Sequence, residues 1–307
     1  MDISRRALLA SAPMLFASAT PAQKLKVSIF SKHLQFLRGE DLARAAASIG
    51  FDGVDLTVRA DGHVEPERVA KDLPALVKIV RAHGLETPMI TTGIADGDTP
   101  HAQDILKTMA GLGIRNYRWG GLKYGGAEPL SLQLDRLKPR VTQLAAINAR
   151  YGVCGMYHTH SGIGLVGASI WDLHILLKDL DPSTIGVNYD AAHAVIEGGH
   201  GGWINSFRIT GRHLRGIAAK DFLWARDAKG AWQPEWTPLG EGMVQFPKLF
   251  GMVAEGDFSG PLQLHFEYPL GGANDGAFSL TVPQELVFAA MKRDLAKLRG
   301  YLAQANL

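Results

Sequence analysis

Cysteine is almost absent from the 307-residue chain: the only one is Cys154, which excludes an internal disulfide framework and any multi-cysteine metal cluster. It sits inside the apolar run Val153–Tyr157 and reads as a core residue. Neither sign of charge is in excess, with 32 Lys and Arg against 30 Asp and Glu for a net charge of +2. No basic block stands out, so nucleic acid and an anionic membrane surface are not the expected partners. A nucleotide loop is missing as well. The glycines of Gly198-Gly199-His200-Gly201-Gly202 lack Walker spacing, and no Gly-x-Gly-x-x-Gly follows the first strand-like run.

The first two dozen residues differ from the rest. Ser4-Arg5-Arg6 precedes the apolar residues Ala7 to Phe16 and the small-residue sequence Ala17-Ser18-Ala19. That order predicts an export signal over residues 1–22, with the paired arginines favouring the twin-arginine (Tat) route and a periplasmic destination. The apolar run is too short for a permanent span, so stable membrane insertion is not expected.

From residue 23 onward, strand-like and helix-like segments alternate. Strands are expected at Lys26–Phe30, Gly53–Val58, Glu86–Thr92 and Ile114–Trp119, in the runs ending at His158 and Asp190, and at Leu214–Lys220 and Leu262–Phe266. Helices are expected at Gly39–Ile49, Glu67–His83, Pro100–Leu112, Leu130–Tyr151, Ser169–Leu180, Gly201–Arg212, Met243–Glu255 and Pro283–Ala303. Such a repeat without a composition break predicts a single (β/α)8 TIM barrel over residues 23–307. One segment breaks the rhythm. Phe222–Trp236 carries Trp224, Trp232 and Trp236 around the turn signal Ala228-Lys229-Gly230, and reads as a hairpin or lid. Its tryptophans suit either a sugar platform or the apolar underside of a loop.

Barrel active sites lie at the C-terminal strand ends, and alternation along a strand says which side chains share a face. There the polar residues gather: His158 and His160; Asn188 and Asp190, with His193 just beyond; Lys220; and Gln263, His265 and Glu267. The ends of the earlier strands add His33, Asp55, Arg59, His63 and Arg118. Desolvating so many ionisable groups without a use would be costly, so they predict a polar pocket. His158, His160, Asp190 and His265 are candidate metal ligands; imidazole and carboxylate suit a divalent ion (Mn, Zn, Co, Fe or Mg) without selecting among them. Lys220, Glu267 and His193 are candidate catalytic groups. His33, Arg59, His63, Arg118 and Trp224 are candidate substrate contacts.

Asp190 with His193 three residues on, Lys220-Asp221, Gly240-Glu241-Gly242 and Gly260–Glu267 resemble the xylose-isomerase-like TIM-barrel superfamily of sugar isomerases and epimerases, over about residues 25–303. The resemblance implies one divalent metal held by a Glu, an Asp, a His and a Glu from strands five to eight. Residue by residue, Asp190 matches the second ligand, while the first falls at His158, the third at Ala218 and the fourth at His265. With Ala218 offering no donor, either a rearranged site forms or His and Lys alone move protons. The expected activity is that of an exported carbohydrate-active isomerase or epimerase that removes a proton beside a carbonyl or hydroxyl-bearing carbon of a small sugar or glycoside. The alternatives are a lyase on oxidised (3-keto) glycosides and a non-catalytic sugar-binding barrel. A homo-oligomer is left open.

Overall fold

The computed structural model describes residues 24–307. The expected export signal, residues 1–22, lies outside the described residues. Eight parallel strands close into a barrel: β1 (Val27–Phe30), β2 (Gly53–Val58), β3 (Met89–Thr92), β4 (Asn116–Trp119), β5 (Cys154–His158), β6 (Ile185–Asp190), β7 (Leu214–Ala219) and, after an excursion, β10 (Leu262–Leu264). Closure comes from β10, which pairs with both β7 and β1. Most strands are buried along their whole length, because helices cover the outside while side chains fill the inside.

The covering helices are α1 (Gly39–Ile49), α2 (Val69–Ala82), α3 (Ala102–Gly111), α4 (Leu130–Tyr151), α5 (Ile170–Leu177), α6 (Ala191–Gly198), α7 (Gly202–Thr210), α8 (Phe246–Ala254) and α9 (Gln284–Gln304). Their apolar stripes, such as Leu42, Ala46 and Ile49 of α1 and Leu73, Val77 and Val80 of α2, pack on the barrel as one core. Gly152 ends α4 in the left-handed region at φ 63°. Cys154 is buried in a small cluster with Met89 and Met156, and burial pushes its thiol up to about 11.

Two features matter for the site, one a departure from the expected pattern and one in line with it. No helix is expected directly after Asp190, yet α6 begins there at once: Asp190 caps its first turn by accepting the His193 N–H at 3.1 Å. This helix was hidden in sequence because Ala191-Ala192 continue the apolar run of β6. Beyond β7, the expected hairpin is present as β8 (Asp221–Arg226) and β9 (Trp232–Thr237), paired antiparallel. Its base is tied down by the Asp221 carboxylate, which accepts the backbone N–H groups of Gly240, Gly242 and Val244. A Cβ at Gly242 would lie 2.2 Å from Asp221 Oδ1, so only glycine lets the backbone come this close.

Candidate active site at the barrel mouth

Parallel pairing brings the ends of the strands to one rim. His158 lies in register with Asn188, Asp190 with Ala218, and Ala218 with Gln263. A cavity of about 280 Å³ opens there, lined by Phe30, Lys32, Arg59, Arg118, His158, His160, His193, Lys220, Trp236, His265 and Glu267. Asp190 is fully buried directly against it. A larger groove, about 840 Å³, lies at the opposite end of the barrel around Lys26, Glu86 and Pro261, away from these groups.

Asp190 organises one side. Its Oδ1 accepts the His193 N–H, while Oδ2 has no hydrogen-bond partner and faces His158 Nε2 and Lys220 Nζ, both at 3.4 Å. Burial pushes this carboxyl up, but Lys220 and His193 outweigh it and hold it below the usual range. Lys220 Nζ lies 2.7 Å from His193 Nε2 and 4.4 Å from the centre of the Trp236 ring. With its Nε2 accepting from the lysine, His193 is neutral and donates Nδ1–H to Ser161 Oγ at 2.8 Å. Burial, then Lys220, keeps its pKa well below 6.5.

A second chain of bonds fixes His158. Gln263 Nε2 donates to the Pro261 carbonyl at 3.3 Å, and Asn188 Nδ2 donates both to Gln263 Oε1 at 2.8 Å and to His158 Nδ1 at 3.1 Å. His158 therefore carries its proton on Nε2, aimed at Asp190. A Cβ at residue 216 would lie 2.8 Å from Asn188 Oδ1, so Gly216 leaves room for the amide. The ring of His158 stacks on His265 at 5.5 Å, and His265 in turn packs on Phe30 at 4.8 Å. Burial keeps both imidazoles well below 6.5.

These residues fit a divalent ion in donor type and spacing. One donor atom each from His158, Asp190 and His265 lies within 4.8 Å of the others; the imidazoles are neutral; and Asp190 Oδ2 is buried without a partner. Binding through His158 Nε2 requires its proton on Nδ1. The Asn188 amide would then turn to present Oδ1, itself a buried atom without a partner, and Gln263 would turn with it. The third family position carries no donor, since the side chain of Ala218 there is a fully buried methyl.

Several expected site residues are placed differently. His160 lines the cavity but is not in the metal triad: its Nε2 accepts from Arg118 Nη2 at 3.2 Å, and burial followed by Arg118 pushes it down to about 4. His33 does not line the cavity. Its ring bonds the Ala273 carbonyl and accepts the Phe266 N–H, both at 3.1 Å, and so staples the chain after β10. His63 is turned to Thr57 Oγ1 at 3.0 Å and also stays outside the cavity wall. On the hairpin, Trp236 faces the site, while Trp224, on the same face but paired with Pro234 nearer the tip, does not reach it. Lys220, Glu267, His193, Arg59, Arg118, His158 and His265 do converge on the cavity.

Phe30 and Lys32 are not among the expected site residues, and Trp236 is expected only as one of three hairpin tryptophans that could form a sugar platform. Phe30 pairs in register with Asp55, so the inward parity of β2 was the signal for it once pairing is known. Lys32 Nζ lies 3.3 Å from Glu267 Oε2. Burial pushes Glu267 up, yet Lys220, His33 and Lys32 together hold it below the usual carboxylate range. Burial lowers Lys32 more strongly than Glu267 raises it. The ion pair is shielded but not sealed, each side chain keeping about a fifth of its exposure.

Residues 43–281 match the family model described as xylose isomerase-like TIM barrel. The chain belongs to this family. Solved structures agree with it in fold. A xylose isomerase domain protein from Planctomyces limnophilus superposes with a TM-score of 0.62 at 18% identity, covering 92% of this chain and 98% of that one. The 3-keto-D-glucoside 4-epimerase of E. coli superposes with a TM-score of 0.62 at 14% identity, over 90% of this chain and 100% of its own. The IOLI protein with a bound zinc atom reaches 0.69 at 13% identity over 90% and 99%. No curated protein matches the chain in sequence. Among the described residues, no helix is long and apolar enough to cross a membrane.

Proposed function

We propose that this member of the xylose isomerase-like family is a sugar-modifying enzyme of the epimerase or isomerase kind, acting by proton removal beside a carbonyl or hydroxyl-bearing carbon. The observation that carries the reading is one cavity holding an ionised Glu267, a Lys220–His193–Ser161 chain and the His158–Asp190–His265 cluster. Glu267 is the base, since neighbouring cations keep it unprotonated and ready to accept. Lys220 lies where negative charge developing on a substrate oxygen would be stabilised, and His193 holds its head group in place. Trp236 offers an aromatic wall for the sugar ring. His158, Asp190 and His265 would hold a divalent ion, whose chemistry when bound is to polarise a carbonyl or a pair of hydroxyls. Similar folds named for 3-keto-D-glucoside epimerisation and for zinc binding support the substrate class and the ion. Residues 1–22 would direct export to the periplasm.

A second reading, a sugar-binding barrel without catalysis, is favoured by the buried methyl of Ala218 where the family places a ligand. Assays of ketose and 3-keto-glycoside panels, run alongside metal analysis of the purified protein, separate the two. Turnover that Lys220→Met and Glu267→Gln leave unchanged would sink the catalytic roles. Absence of a co-purifying divalent ion, with no effect of chelation, would remove the metal.

A further inference from the structure

Charge is unevenly matched around the cavity. Lys32 faces Glu267 at 3.3 Å and Lys220 faces Asp190 at 3.4 Å, so each lysine has its carboxylate. Among the described residues, neither Arg59 nor Arg118 has a carboxylate at ion-pair distance. Arg118 donates to the neutral His160, and the head group of Arg59 makes no side-chain hydrogen bond. Both guanidiniums stand against one ring, 5.6 and 5.8 Å from the centre of Phe30, so two like charges share a wall. Of the two acids whose fields reach both, Glu267 is already paired with Lys32, and Asp55 does not neutralise them. It is buried beneath, accepts Thr91 Oγ1 at 2.8 Å, and burial pushes it up to about 7.

Holding two guanidiniums together with no carboxylate paired to either costs free energy that a neutral pair would avoid. A ligand anion removes that cost. The planar fork of arginine suits a carboxylate or phosphate, which it meets with two parallel N–H···O bonds. A cavity of about 280 Å³ limits the ligand to roughly one sugar ring.

We propose that Arg59 and Arg118 form an oxyanion subsite, and that the substrate is a monosaccharide-sized sugar bearing a carboxylate or a phosphate. The word substrate rests on the enzymatic reading above; the binding does not.

Calorimetric titration of the full-length protein with D-glucuronate, D-gluconate, D-glucose 6-phosphate and D-glucose tests it. At least one acid is expected to bind about tenfold or more tightly than glucose, and added salt to weaken it. Arg59→Met and Arg118→Met are each expected to weaken that acid about ten- to a hundredfold, with the Lys variants in between. Preference for the sugar acids identifies a carboxylate, and preference for the phosphate ester a phosphate. The subsite is overturned if no acid outbinds glucose, or if both Met variants, shown to be folded by their thermal melts, bind the acid as the parent does. Tight acid binding without turnover of any acid leaves the subsite standing and removes the enzymatic reading. Turnover of a neutral sugar that neither Met variant alters removes the subsite and leaves the enzyme.

Discussion

The two lysines and the two arginines of the cavity are held in opposite ways. Lys220 sits in a closed network with Asp190, His193 and Trp236, and Lys32 meets Glu267, whereas Arg59 and Arg118 lean on Phe30 with no carboxylate at hand. Charges that a protein neutralises itself contribute to holding the site together. Charges left unmatched are available to a ligand. The contrast lets stability and binding be perturbed separately, and the following experiments do so in order of expected effect.

Lys220→Met should strike hardest, because it leaves Asp190 buried without its cation. A loss of about 3–5 kcal/mol in urea unfolding is expected, and a loss below about 1 kcal/mol would show that the pair is dispensable. Glu267→Gln should leave the fold intact, since the amide oxygen can still accept from Lys32, while lowering turnover by about 10²–10⁴. Steady-state kinetics on an active substrate checks this.

Asn188→Asp probes the chain that sets His158. A carboxylate there accepts from His158 Nδ1–H and turns the Nε2 lone pair towards Asp190, so zinc affinity should rise about ten- to a hundredfold in a competitive chelator titration. Unchanged or weaker affinity would contradict the tautomer assigned here.

Acid should weaken the fold through its neutral buried histidines. Burial pushes His33 down to about 3 and His63 down to about 4, so below pH 6.5 the unfolded chain binds protons that the folded one refuses. Each such imidazole then removes roughly 1.4 kcal/mol of stability per pH unit, until the pH reaches its folded pKa. Asp55, raised to about 7, acts with the opposite sign, its contribution fading as pH rises from about 4 through 7. Thermal melts between pH 8 and 4 should show the histidine effect as a falling midpoint, and His33→Gln should flatten the fall. Smallest of all, the double variant Arg59→Met/Arg118→Met should change stability by no more than about 1 kcal/mol, since it removes mutual repulsion rather than a pair. A loss as large as that from Lys220→Met would erase the distinction between the two kinds of cation.

The strand-and-helix rhythm made the barrel legible, because parallel strands buried on both faces read as apolar runs and glycines mark helix ends such as Gly152. The helix absent from the expected pattern is Ala191–Gly198, where two alanines after Asp190 carry no period of their own. Within the site, parity along the strands picked out His158, Asp190, Lys220, His265 and Glu267, all of which reach the cavity or its wall. Nearness to the strand ends also admitted His33 and His63, whose rings the fold spends on Ala273, Phe266 and Thr57.

By itself, then, the sequence determined that polar side chains crowd one end of a (β/α)8 barrel, since alternation and helix period are local properties of the chain. Only the tertiary structure decided what each polar group meets. Arg118 takes the lone pair of His160, Asn188 is bound to Gln263 across 75 positions of sequence, and Trp236 rather than Trp224 reaches Lys220. A hydrogen bond depends on register and rotamer to within a few tenths of an ångström, and those are fixed when distant strands close the barrel.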